Sequence, residues 1–248
     1  MNPMHTTPEL ALVLAAGRGS RMKDLTTKTP KHMLPVAGKP VLEHIITRLR
    51  DAGIARIVIV TGYLGEMIED YFGDGSGFDV RISYVRQTNL DGTGSAVLIA
   101  REAVGRNSFL VTFGDLLASS SAYRGLLDDY NSLPCDALIA LNWVDDPYSG
   151  AAVYLDDSDR IIQIVEKPPV GKSTTQWNQS GIFVFSPIIF DYLPRIELSP
   201  RGEYELTDAV MSMLAGGRCI RGYKMSGIWC DVGRPDDIAR AGRLLEEE

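Results

Sequence analysis

Between positions 18 and 39 the chain carries six cations, Arg18, Arg21, Lys23, Lys28, Lys31 and Lys39, and a single acid, Asp24. Gly17 and Gly19 open the same segment, directly after the apolar run 10–14. Glycines let backbone N–H groups approach a ligand closely, and Arg and Lys neutralise phosphate oxygens, so this segment suits the charged tail of a nucleotide. Arg21 and Lys31 would disperse the charge that a triphosphate develops as it reacts. A solvated basic loop is the other reading of the same charges. Two acids follow in short turns, Asp115 in FGDL at 113–116 and Asp231 in WCDVGRP at 229–235. Each alone is also an ordinary cap or turn former. Glu166, Lys167 and Pro168 come straight after the strand-like run 161–165; without that position they would read as a surface ion pair of little energetic weight.

Other chemistries are excluded by spacing. Gly171-Lys172-Ser173 has the look of a P-loop end, but Glu166 stands where the first glycine of that loop belongs. The three histidines, His5, His32 and His44, form no HExxH, and no GxSxG elbow is present. In the loop at 17–22 Met22 replaces the third glycine of a dinucleotide fingerprint, which weakens a dehydrogenase reading. Cys135, Cys219 and Cys230 are odd in number and lack CxxC spacing, so they read as reduced thiols in the core.

The positioning elements are those of a globular α/β chain. Its 248 residues are 45% hydrophobic and 23% charged, which excludes disordered, collagenous and coiled-coil classes. Net charge is −7, divided into +5 over positions 18–39 and −12 elsewhere, the wrong sign for a surface that grips nucleic acid. No apolar run approaches the ~20 residues of a membrane span, and positions 1–9 lack the basic flank of a signal peptide, so the expected partners exclude membrane and the expected location is cytoplasmic.

Apolar runs at 10–14, 56–60, 80–85, 108–113 and 136–141 predict strands, most of them buried on both faces. Helical spacing at 41–49, ending near Gly53, and helices at 64–72, 95–104 and 121–130 alternate with them. That alternation predicts right-handed crossovers and a mostly parallel sheet covered by helices. Runs at 151–155 and 161–165, separated by five polar residues, predict an antiparallel hairpin. A strand at 182–185, a helix at 205–214, a strand at 218–224 and a helix at 235–245 complete the chain. The expectation is a single domain over 1–248, its first half 1–142 binding nucleotide and its second half 143–248 carrying the β-rich elaboration.

Two long segments, LAAGRGSRM at 14–22 and TPKHMLPVAGKP at 29–40, closely resemble the signature loop of the sugar-1-phosphate nucleotidylyltransferases. The segment QTNLDGTGSA at 87–96 resembles that family's base-reading stretch, and FGDL, Glu166-Lys167-Pro168, WNQSG at 177–181 and WCDVGRP resemble further family motifs, in the family's order along the chain. The resemblance implies a Rossmann-like three-layer α/β/α fold with a mostly parallel mixed sheet and a small antiparallel elaboration in the C-terminal half.

It also implies residue roles. Leu14, Ala15, Ala16, Gly17, Gly19, Gln87, Gly92 and Thr93 would bind the nucleotide, and Arg21 and Lys31 its phosphates. Gln87 suits a pyrimidine because its amide offers both a donor and an acceptor to the ring. Asp115 and Asp231 would bind Mg²⁺, a hard cation that prefers carboxylate, phosphate and water oxygens. Glu166, Gly150 and Asn178 would hold the sugar and Lys167 its phosphate; the sequence Gln179-Ser180-Gly181 departs from the common family pattern at this point. The implied reaction joins a nucleoside triphosphate, UTP first and dTTP next, to glucose 1-phosphate or N-acetylglucosamine 1-phosphate. A non-catalytic nucleotide-sugar-binding module and a nucleotide-sugar-dependent glycosyltransferase are the alternatives, the latter disfavoured by a single acid in FGDL. A homo-oligomer is compatible with these residues.

Overall fold

The computed structural model describes residues 7–246. Its strands are β1 (Leu10–Ala15), β2 (Pro35–Val36), β3 (Lys39–Pro40), β4 (Arg56–Thr61), β5 (Arg81–Arg86), β6 (Phe109–Phe113), β7 (Leu116–Ala118), β8 (Ala137–Trp143), β9 (Ala151–Leu155), β10 (Ile161–Glu166), β11 (Trp177–Phe185), β12 (Ile220–Lys224) and β13 (Trp229–Asp231). The helices are α1 (Val41–Asp51), α2 (Gly65–Phe72), α3 (Thr93–Ile99), α4 (Arg101–Val104), α5 (Ser120–Ser132), α6 (Leu206–Ala215) and α7 (Pro235–Glu246).

One sheet runs through both halves of the chain. Its parallel part has the order β6-β1-β4-β5, and β11 then lies antiparallel between β6 and β8, with β12 parallel to β8 at the far side. The strands of the parallel part are apolar because both faces are covered. In β1, Ala11, Val13 and Ala15 join the core under α1, α2 and α5, while Leu10, Leu12 and Leu14 join the core under α3 and α6. Side chains of a strand alternate between faces, so one apolar run seals two layers.

The chain passes from β1 to β4 and β5 on one side, then returns to β6 on the other. A reversal of this kind opens a crevice at the carboxyl ends of the strands, where open α/β sheets bind ligands. Register aligns those ends: Ala15 pairs with Thr61, Thr61 with Arg86, and Leu14 with Phe113. The loops carrying Gly17, Gln87 and Asp115 therefore leave the sheet along one edge.

The structure departs from the sequence expectations in three places. The helix expected at 95–104 is two pieces, α3 starting at Thr93 and α4, joined through Ala100. The strand expected at 182–185 begins at Trp177, and its extension overhangs β6, where Asn178 pairs with Ala152 of β9. The expected antiparallel hairpin β9-β10 thus joins the same sheet beyond the carboxyl end of β6. Finally, β7 and β13 form a two-stranded antiparallel ribbon that no sequence pattern announced, with Asp231 opposite Leu116.

No helix among the described residues is long and apolar enough to cross a membrane.

Candidate active site

The β7-β13 ribbon decides the geometry of the two acids. Asp115 stands immediately before β7 and Asp231 ends β13; the Val232 N–H donates to the Asp115 carbonyl at 2.8 Å, tying the two turns together. Burial pushes Asp115 upward, but the Lys31 ammonium, hydrogen-bonded and ion-paired to Asp115 Oδ2, outweighs it and holds that carboxyl below its ordinary range. Asp231 takes the opposite course. Burial, reinforced by the neighbouring Asp115 charge and only partly countered by Lys31 and Arg21, raises it to about 6. Two carboxylates held together this far from water favour a positive ion between them.

Arg21 closes the other side. A Cβ on Gly233 would lie 3.1 Å from Asp231 Oδ2 and 3.4 Å from Arg21 Nη2, so the backbone there passes close to both charges. Gly19, at φ 65, performs a similar service for Lys31: a Cβ would lie 2.9 Å from that lysine's Cβ. The stem of Lys31 therefore crosses the glycine loop on its way to Asp115.

A cleft of about 270 Å³ opens beside this pair. Leu14, Ala16, Gly17, Arg21, Lys31, Gln87, Gly92, Thr93 and Asp115 all line it. Ala15 is fully buried beneath it, and Gly19 lies outside the lining. Gln87 is 6% exposed, and its Nε2 donates to Ser95 Oγ at 2.8 Å and to the Gly92 carbonyl at 3.1 Å. Its amide is thereby oriented before any ligand arrives.

The loop after Gln87 is clamped from a distant part of the chain. Tyr204 N–H donates to the Asp91 carbonyl and Gly94 N–H to the Tyr204 carbonyl, both at 2.7 Å. Thr93 Oγ1 accepts the Leu206 N–H at 3.0 Å, so its hydroxyl serves the first turn of α6. Gly92 adopts φ 125, and a Cβ there would lie 2.4 Å from the Tyr204 carbonyl oxygen. Gly92→Ala should therefore displace this loop, lowering the melting temperature by an amount equivalent to about 2 kcal/mol and raising the nucleotide KM at least tenfold. A thermal melt with a triphosphate titration checks both.

The remaining residues expected at the site occupy a second region. Glu166 and Lys167 line a larger cleft of about 770 Å³ with Arg201, Glu205 and Asp208. Glu166 is raised by burial and by Glu205, while Arg201, 3.6 Å away, opposes the rise. Gly150 and Asn178 lie behind Lys167 and line neither cleft.

Three residues that sequence reasoning missed are His32, Arg201 and Glu203. His32 is 1% exposed and lines the smaller cleft next to Lys31. Burial, with Lys31 beside it, lowers it to about 3, so the imidazole is neutral, and its Nδ1 has no hydrogen-bond partner among the described residues. Its only sequence signal was adjacency to Lys31. Glu203 reaches the smaller cleft and Arg201 the larger from one short segment before α6, which carried no motif of its own.

Residues 10–248 match the family model described as nucleotidyl transferase. The chain belongs to the nucleotidyl transferase family. Over 96% of its length it is 37% identical to the low-salt glycan biosynthesis nucleotidyltransferase Agl11 of Haloferax volcanii, and spans 66% of that protein. It is 35% identical to a glucose-1-phosphate thymidylyltransferase of Streptomyces griseus, again over 96% of its own chain and 66% of the relative. The chain thus spans about two thirds of these relatives and about half of others, such as the bifunctional protein GlmU of Methanocaldococcus jannaschii, 37% identical over 95% of this chain and 54% of that one. A solved UDP-glucose pyrophosphorylase bound to UDP-glucose shares the nucleotidyl transferase fold, with a TM-score of 0.88 at 24% identity, covering 97% of this chain and 99% of that one.

Proposed function

We propose that this chain joins a nucleoside triphosphate to a sugar 1-phosphate, releasing pyrophosphate and a nucleotide-sugar. The observation that carries the reading is that Asp115 and Lys31 line one cleft with Gln87 and Gly92, and that the β7-β13 ribbon brings Asp231 beside that pair. In the reaction an oxygen of the sugar 1-phosphate forms a bond to the α-phosphorus, and the bond from that phosphorus to the β-phosphate bridging oxygen breaks. The attacking phosphate is largely ionised at pH 7, since its second pKa is ~6, so no general base is needed. The site instead aligns two mutually repelling anions and disperses the charge on the departing pyrophosphate.

Arg21 and Lys31 meet the triphosphate, and Gly17 brings the backbone of the loop to it. Gln87 reads the base through its Oε1, since Ser95 and the Gly92 carbonyl already take both Nε2 hydrogens; an acceptor facing the ring N–H of a pyrimidine puts UTP first, with dTTP next. Lys167 receives the sugar phosphate and Glu166 the sugar hydroxyls, beside Gly150. Glucose 1-phosphate and N-acetylglucosamine 1-phosphate are the acceptors this reading puts first.

Two hard carboxylates fit Mg²⁺ by donor type and by the raised Asp231. Among the described residues no group of three acids, histidines or cysteines could hold a metal, so phosphate oxygens and water would complete the shell. When bound, the cation would neutralise charge on the α-phosphoryl group.

A grid of triphosphates against sugar 1-phosphates, read as pyrophosphate released, tests the proposal. The expected result is release only with both substrates present, greatest with UTP or dTTP, and abolished by excess EDTA. Hydrolysis or transfer from a preformed nucleotide-sugar, with no pyrophosphate, would replace this reading with a glycosyltransferase.

A further inference from the structure

We propose that Asn178 is a positioning residue: from its buried place in β11 it fixes the Gly150 backbone, and through Gly150 it holds Lys167 in the pose that receives the sugar phosphate. The inference deepens the reading above and rests on it for what Lys167 meets.

Asn178 is 6% exposed, and its carboxamide is fully engaged by the protein. Nδ2 donates to Asn142 Oδ1 at 3.0 Å, its register partner across β8, and to the Gln179 carbonyl at 2.9 Å. Oδ1 accepts the Ala151 N–H at 3.0 Å. Turning the amide over would set its N–H groups against that N–H and leave two oxygens facing an oxygen, so the network fixes its orientation. The oxygen also lies flush against Gly150, where a Cβ would come within 2.1 Å of it.

Gly150 passes the constraint on. Its carbonyl accepts the Lys167 N–H at 2.8 Å. Lys167 holds φ 44, a left-handed conformation that a lysine keeps only when its surroundings impose it. The hairpin register supports the contact from the same side, with Glu166 opposite Ala151. A path of short contacts therefore runs from the interior of the sheet, through Asn178 and the residue pair 150–151, to the lysine on the lip of the larger cleft. Asparagine alone supplies it: aspartate would turn an acceptor towards two oxygens, and an aliphatic residue would leave the Ala151 N–H buried without a partner.

The test measures kcat and KM for both substrates with the full chain, using UTP and glucose 1-phosphate or whichever pair the grid selects. Asn178→Asp should raise the sugar 1-phosphate KM at least tenfold while the UTP KM stays within twofold. Gly150→Ala, which pushes on the same carboxamide and leaves the sheet hydrogen bonds in place, should give the same split. Lys167→Ala separates the inference from its foundation. If Lys167→Ala leaves the sugar 1-phosphate KM unchanged, the role given to Lys167 fails and the inference with it. If Lys167→Ala raises that KM but Asn178→Asp and Gly150→Ala do not, the role of Lys167 stands and the inference is overturned. A parallel rise in both KM values, or loss of UTP binding and of the melting transition in both variants, would make Asn178 a structural residue and overturn it as well.

Discussion

Asp115→Asn and Asp231→Asn should each lower kcat about a thousandfold, corresponding to about 4 kcal/mol of transition-state stabilisation. Their effects on the free protein should differ in sign. Asp231 is raised to about 6 in the fold, above the ordinary carboxyl range, by burial and by Asp115. A carboxyl raised in the folded state stabilises the fold while protonated and loses that contribution as pH rises through the folded value, so at pH 7 its charge is a burden. Asp231→Asn removes the burden, and the melting temperature without cation should rise. Asp115→Asn instead strips Lys31 of its ion-pair partner, and the melting temperature should fall. Thermal melts at pH 7 with and without Mg²⁺, beside single-turnover assays, check both halves. Wild-type turnover in the double variant would remove these acids from the chemistry.

Lys31→Ala should be the second large loss. The ammonium lies between the glycine loop and Asp115 and lines the smaller cleft, where on the proposed reading it would meet the charge of the triphosphate. Removing one such preorganised donor should cost about a hundredfold to a thousandfold in kcat. It also leaves Asp115 buried beside Asp231 without its cation, which should lower stability by about 2 kcal/mol in the absence of Mg²⁺ and less in its presence. Lys172→Ala is the control. That lysine belongs to the exposed turn after Pro169, where Asp146 Oδ2 accepts the Gly171 N–H at 2.7 Å, and it touches neither cleft. Its turnover should stay within twofold of wild type. Equal losses in the two variants would detach the cationic loop from the reaction.

What the sequence made legible was what local pattern encodes. An unbroken apolar run specified β1 as a strand buried on both faces, and Leu12 and Val13 do face opposite cores. The cationic loop was legible because charge and glycine concentrate within it. The β7-β13 ribbon was not: its strands have three residues each, they lie more than a hundred positions apart, and Leu116-Leu117 looks like more of β6. Yet that ribbon sets the two acids side by side. Ala100 interrupts the helix expected at 95–104 with no glycine or proline to announce it. Thr93 and Asn178 were legible as positions but not as roles, because a hydroxyl or an amide reads the same whether it meets a ligand or the N–H of Leu206 or Ala151. Only the fold determines which partner is present.

The most direct test is a crystal structure of the chain with Mg²⁺ and a non-hydrolysable UTP analogue. The expected result is one cation shared by the carboxylates of Asp115 and Asp231 and an α-phosphate oxygen, with Lys31 and Arg21 on the phosphates and the base against Gln87. A triphosphate seated in the larger cleft beside Arg201, or a cation bound away from both acids, would contradict it.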